Sequence, residues 1–167
     1  MDKRLKIGLV QYSPVWENKI ASIEKIKKLI SNQTGLDVYI FPEMTLTGFT
    51  MQAKNLAEDF SEETFIFFSL LAKSIKSSLM YGFIEKGKNR IFNTLVHLNN
   101  QGKILSTYRK IHPFSFANED KYFGKGKNPI ITKVKGIKFG LSICYDLRFP
   151  ELYRLYAKEK VDCIVDI

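Results

Sequence analysis

Cysteine is scarce in this chain: Cys144 and Cys163 are the two in 167 residues. That count excludes a disulfide scaffold and is too low for a zinc ribbon or knuckle. Long apolar runs are missing as well. The longest patch, Phe65 to Ala72, is interrupted by Ser69 and is too short to span a bilayer. The start, Met1 to Gln11, places charges first but has too short an apolar stretch for a secretory signal. With no export signal and two cysteines far apart, a reduced cytosolic setting is expected. Internal repeats, linkers and low-complexity tracts are also missing.

What is present suits a single domain over residues 1–167, since a chain of this length with 45% hydrophobic residues can bury a real core. The net charge of +9 is uneven. Residues 1–84 carry ten Lys/Arg against nine acids, and residues 85–167 carry sixteen against eight. Lys121, Lys125, Lys127, Lys133, Lys135 and Lys138 form a run with no acid among them. Such a run can be a nucleic-acid footprint or an anion-attracting surface. With no nucleic-acid motif beside it, solvated strand edges guarded by lysine are the favoured reading.

Apolar periodicity sets out an alternating α/β order. Leu5 to Tyr12 reads as a buried strand, and Ile20, Ile23, Ile26 and Ile30 mark an amphipathic helix closing near Gly35. Val38 to Phe41 is a short apolar strand, and Leu46 to Met51 a loop hinged at Gly48. A second helix runs from a Ser61 cap to about Lys76. Strands Leu79–Glu85, Ile91–Leu98 and Ile104–Tyr108 follow, joined by polar turns. Residues 111–128 form a long connection of a length that usually carries function. A hairpin, Ile130–Val134 with Ile137–Ile143, then a helix from Phe149 to Lys158 and a strand from Val161 to Ile167 complete the chain. The mixed pairing predicts an α/β sheet covered by helices on at least one face.

Three strands end at chemically useful residues: Val38–Phe41 at Glu43, Ile104–Tyr108 at Lys110, and Gly140–Ile143 at Cys144. Sites in open α/β sheets form beyond the carboxyl ends of strands, so a carboxylate, an ammonium and a thiol can converge there. Pro150 opens the helix after Cys144, which predicts a thiol whose pKa is lowered by the helix N-terminus.

The segments Phe41-Pro42-Glu43-Met44, Tyr108-Arg109-Lys110-Ile111-His112 and Cys144-Tyr145-Asp146-Leu147-Arg148-Phe149-Pro150-Glu151 together resemble the nitrilase superfamily of carbon–nitrogen hydrolases. The resemblance implies a four-layer α-β-β-α sandwich, usually paired into dimers, that needs no cofactor. It implies Glu43 as general base, Lys110 as electrostatic stabiliser, Cys144 as nucleophile and Glu119 as a further glutamate. The backbone N–H of Tyr145 would bind the substrate oxyanion. Tyr145-Asp146 after the cysteine departs from the Trp-Glu pair of true nitrilases and is similar to the amidase branches. With Thr47-Gly48-Phe49, the pattern is similar to ω-amidases, which act on terminal amides of short 2-oxo acids. The implied partner is a small-molecule amide, with no nucleic acid and no membrane. Family members run on beyond the strand that closes at Ile167, so only the N-terminal part of the sandwich is expected here. The alternatives are a non-catalytic truncated relative and, from another class, a basic nucleic-acid-binding module.

Each of these residues also has a plainer reading. A lone Cys144 is more often a small buried hydrophobe. Glu43, Lys110 and Glu119 can each be solvated surface charges, and only the combined motif lifts them above that. Cys163 reads as core, His97 as structural, and His112 as a loop hydrogen-bonder rather than a base. Asp146, Arg148 and Glu151 are expected to form an ion-pair set that fixes the nucleophile turn.

Overall fold

A computed structural model describes residues 4–31 and 35–167. The charged start at residues 1–3 lies outside the described residues. Among the described residues eight strands form two sheets. The first holds β1 (Ile7–Leu9), β2 (Val38–Ile40), β3 (Ser78–Lys86), β4 (Ile91–Leu98) and β5 (Ile104–Arg109), in that order. β1, β2 and β3 run parallel, and β3, β4 and β5 are antiparallel neighbours. The second sheet holds β6 (Ile131–Val134), β7 (Ile137–Ser142) and β8 (Cys163–Asp166), with β7–β8 parallel.

The alternation of side chains along each strand builds the layers. On β2, Tyr39 faces α1 (Lys19–Ile30) and α3 (Glu63–Ile75), where it meets Ile23, Ile26, Phe68 and Ala72. Val38 and Ile40 face the other way, onto Phe139, Leu141 and Val165 of the second sheet. The far side of that sheet is covered by α5 (Pro150–Lys158), whose Tyr156 ring lies over Gly140 so closely that a Cβ there would stand 2.7 Å from it. The order of layers is therefore α-β-β-α, as the family resemblance implies.

Asn18 caps α1 by accepting from the Ala21 N–H at 3.0 Å. The predicted Ser61 cap of α3 is corrected. Ser61 instead donates to Asp59, while the buried Glu58 carboxylate accepts from the Thr64 N–H at 3.1 Å and so takes up a first-turn donor. The first strand is also corrected: β1 is a three-residue edge with Leu9 78% exposed, because β2 covers it on one side alone. Two four-residue helices, α2 (Ala53–Leu56) and α4 (Glu119–Tyr122), fall in stretches with no predicted helix. Lys135 and Gly136 both have positive φ, which gives the β6–β7 hairpin its tight turn.

Candidate active site

Glu43 leaves the end of β2 on a turn pinned to the neighbouring strand. Thr45 N–H donates to the Gly82 carbonyl at 2.8 Å, and Gly82 N–H donates to Thr45 Oγ1 at 3.2 Å. Met44, next to the glutamate, has φ 45°. Lys110 follows β5 directly, its N–H bonded to the Asn93 carbonyl at 2.9 Å and its carbonyl accepting from Gly126 N–H at 2.8 Å.

Between them lies a closed charge cluster. Lys110 Nζ stands 2.7 Å from Glu43 Oε1 and 2.9 Å from Glu119 Oε2. Asn93 Nδ2 donates to the same two carboxylates at 2.7 and 2.8 Å, and Phe114 N–H donates to Glu119 Oε2 at 2.6 Å. Lys110 and Glu119 are buried, and the Glu43 side chain is 12% exposed, so Glu43 is the member of the cluster open to a ligand. Burial disfavours the Lys110 ammonium, but Glu43 and Glu119 outweigh it and the lysine pKa is raised. The Glu43 pKa is raised too: burial and Glu119 together outweigh the attraction of Lys110 and the Asn93 hydrogen bond.

Cys144 follows β7 at φ 48°, an uncommon backbone conformation for a residue with a side chain, and its N–H donates to the Ile167 carbonyl at 2.9 Å. The residue as a whole is exposed, while its thiol is partly withdrawn from solvent. Its thiol lies close enough to Glu43 and Lys110 for both charges to act on it. Burial of the thiol first, then the Glu43 charge, push its pKa up to about 11, against the pull of Lys110. The predicted lowered pKa is thus corrected. Cys144 opens a 3₁₀ turn, Cys144–Arg148, and α5 starts only at Pro150, so the helix N-terminus is displaced from the sulfur.

The turn that carries Cys144 is held differently from the predicted ion-pair set. Buried Asp146 accepts from Tyr108 Oη at 2.7 Å, from Ile143 N–H at 3.1 Å and from His112 N–H at 2.9 Å. Its Oδ1 also lies 2.7 Å from His112 Nδ1, and the His112 ring stacks on Phe149 at 3.7 Å. His112 is therefore a loop hydrogen-bonder, while Arg148 and Glu151 stay exposed. Tyr145, next after the cysteine, packs its ring on Phe114 at 4.9 Å and Phe149 at 5.4 Å. His97 is buried between the sheets with Nδ1 2.6 Å from Thr132 Oγ1, a structural setting. Cys163 is half-buried at the margin of the core, not inside it.

Sequence reasoning missed two members of this constellation. Asn93 is the one amide in β4, between the apolar Ile91-Phe92 and Leu95-Val96, and a buried-strand amide is its signal. Asp166 bonds Ser142 Oγ at 2.7 Å and adds a negative charge that raises the Cys144 thiol pKa further. Nothing in the chain spacing marks it. Among the described residues no cluster of three or more His, Cys, Asp or Glu could hold a metal ion, and no helix is long and apolar enough to cross a membrane.

A four-layer sandwich that brings a carboxylate, an ammonium and a thiol beyond the ends of three strands defines the class of this protein. The carbon–nitrogen hydrolase family model matches residues 6–166, and the chain belongs to that family. It is 33% identical over 150 residues to a 2-oxoglutaramate amidase of Paenarthrobacter nicotinovorans, covering 82% of this chain and 51% of the relative. To the omega-amidase NIT3 of Saccharomyces cerevisiae it is 28% identical over 178 residues, covering 95% of this chain and 61% of the relative. Among solved structures, XC1258 of Xanthomonas campestris, a CN-hydrolase superfamily protein with an arsenic adduct in its active site, superposes with a TM-score of 0.84. It is 28% identical, with 88% of this chain and 56% of that one covered. Yeast Nit3 superposes with a TM-score of 0.81 at 26% identity, covering 97% and 63%. The chain thus spans about half to three-fifths of the length of these relatives.

Proposed function

We propose that this chain carries the catalytic centre of an amidohydrolase that cleaves a small linear amide to a carboxylate and ammonia through a Cys144 thioester. The observation that carries the reading is the Glu43 carboxylate, which lies 2.7 Å from Lys110 Nζ and whose charge acts on the Cys144 thiol.

A thiol with a pKa near 11 rests protonated, so attack requires a base, and Glu43 is the carboxylate whose charge acts on it most strongly. As sulfur bonds to the amide carbon, the thiol proton passes to Glu43 and the carbonyl becomes an oxyanion. The Tyr145 N–H donates to that oxyanion, a contribution of roughly 3–4 kcal/mol in comparable sites, and the Lys110 charge behind Glu43 stabilises it electrostatically. Glu43 then gives its proton to the departing nitrogen, and the C–N bond breaks, leaving the thioester and ammonia. Water attacks next, losing its proton to Glu43. The C–S bond breaks and the sulfur takes the proton back. Glu119, with three hydrogen-bond donors on its carboxylate, positions Lys110 and keeps it charged throughout.

The sequence written this way needs no cofactor. The relatives named for 2-oxoglutaramate and ω-amides support a short dicarboxylic amide as the substrate class. A free-thiol nucleophile suits the cytosol, and the complete enzyme is read as a homodimer. Ammonia release from 2-oxoglutaramate, compared with a short monoamide, tests the reading. Cys144→Ala and Glu43→Gln should abolish release, and Lys110→Ala should lower kcat at least a hundredfold. Wild-type turnover by Glu43→Gln or Lys110→Ala would overturn it.

A further inference from the structure

The lysine-rich half of the chain is not evenly solvated. Lys135 pairs with Asp37 at 2.5 Å, and Lys138 Nζ donates to the Glu159 carbonyl at 3.0 Å. Lys125 and Lys127 instead join Lys88, Arg90 and Arg109 around the Phe92 ring. There they line two adjoining cavities of 420 and 630 Å³ that share Phe92, Arg109, Lys125 and Lys127. Arg109 is balanced by the buried Glu85, with Nε at 2.8 Å from Oε2, and its guanidinium lies 4.0 Å from the Phe92 ring centroid. Among the described residues, Lys88, Arg90, Lys125 and Lys127 make no ion pair. One acid, Asp120, borders the larger cavity.

We propose that this groove is a binding site for a compact polyanion, a small molecule carrying a di- or triphosphate group. Four uncompensated cations held around one concavity repel one another, and their potentials add in the space between them. The cavity volumes fall in the range of small-ligand pockets. Lysine ammonium groups meet phosphate as point charges from several directions, while Arg90 can add a bidentate fork. Arg109 is already spent on Glu85 and Phe92, so it forms the rigid floor rather than the principal anion ligand. A nucleic acid strand fits less well. Its charges repeat along a line, and these cations cluster around one concavity that Asp120 borders.

The groove also touches the machinery of the site without belonging to it. The connection over residues 111–128 carries Glu119 at its middle and Lys125 and Lys127 near its far end. Gly126, between the two lysines, is fixed to the Lys110 carbonyl, and a Cβ on it would stand 2.0 Å from the Arg109 carbonyl oxygen.

Calorimetric titration of the full chain with inorganic triphosphate at 150 mM salt tests the proposal. Saturable one-to-one binding is expected, weakened at least tenfold in Lys125→Glu/Lys127→Glu and strengthened in Asp120→Asn. The two lysines are exposed, so their replacement should leave the melting temperature unchanged without ligand, which separates lost binding from lost fold. Absence of saturable binding, or affinity indifferent to the double variant, would overturn the proposal. So would binding of single-stranded oligonucleotides that tightens with length while triphosphate fails to compete, since that would make the groove a nucleic-acid surface.

Discussion

Gly82 lies directly beneath Glu43. A Cβ placed on Gly82 would stand 2.9 Å from the Glu43 Cα and 2.7 Å from the Met44 nitrogen, both backbone atoms. The turn that aims Glu43 therefore crosses β3 at a distance only glycine permits.

Gly82→Ala should accordingly keep the fold while moving the carboxylate away from Lys110 and Cys144. A misplacement of about 1 Å in such a constellation costs on the order of a hundredfold in rate. The overpacking costs about 1–3 kcal/mol of stability. Ammonia release and thermal melting of the variant check both numbers, and wild-type turnover would show that the close crossing does not aim Glu43.

The thiol provides a second test. Its pKa is raised to about 11 by burial and by Glu43, and alkylating reagents react with the thiolate. Removing the Glu43 charge leaves burial in place but deletes two contributions that raise the thiol pKa. The rate of Cys144 alkylation by iodoacetamide, followed against pH by peptide mass, should have its midpoint at least one unit lower in Glu43→Gln than in the wild type. An unchanged midpoint would mean that Glu43 does not act on the sulfur.

Much of this was legible in the chain. Glu43 and Cys144 each follow an apolar run that reads as a buried strand, Lys110 follows the mixed hairpin strand Ile104–Arg109, and ends of neighbouring strands meet in space. The alternation of Val38 and Ile40 with Tyr39 marks a strand with two buried faces. The failures have physical causes. The helix after Cys144 was read from Pro150, but the five-residue turn before it depends on Asp146 reaching Tyr108 and His112, contacts 38 and 34 residues away in sequence. The cap of α3 came from Glu58, which lies outside the usual cap spacing. The thiol pKa was misjudged because burial and a facing carboxylate are tertiary facts, whereas the helix dipole is a local one.

His97 offers a stability measurement independent of turnover. Burial lowers its pKa from 6.5 to about 4, so the folded chain holds it neutral over a range in which the unfolded chain protonates it. A depressed folded-state pKa gives stability that is present above pH 6.5 and lost as pH falls toward 4. The loss attributable to this residue is up to about 3 kcal/mol. His97→Asn keeps a polar atom near Thr132 Oγ1 and removes the titration. Urea unfolding at pH 4.5 and pH 7 should show a smaller difference in the variant than in the wild type, and an equal difference would place the acid sensitivity elsewhere.

The central claim is that Cys144 carries the acyl group while Glu43 handles the proton. Rapid-quench intact-mass measurement of the chain mixed with a short amide tests it most directly. The prediction is a transient mass increase equal to the acyl portion of the substrate, mapped by peptide mass to Cys144 and absent in both Cys144→Ala and Glu43→Gln. An adduct on Cys163, or ammonia released at wild-type rate by Cys144→Ala, would contradict it.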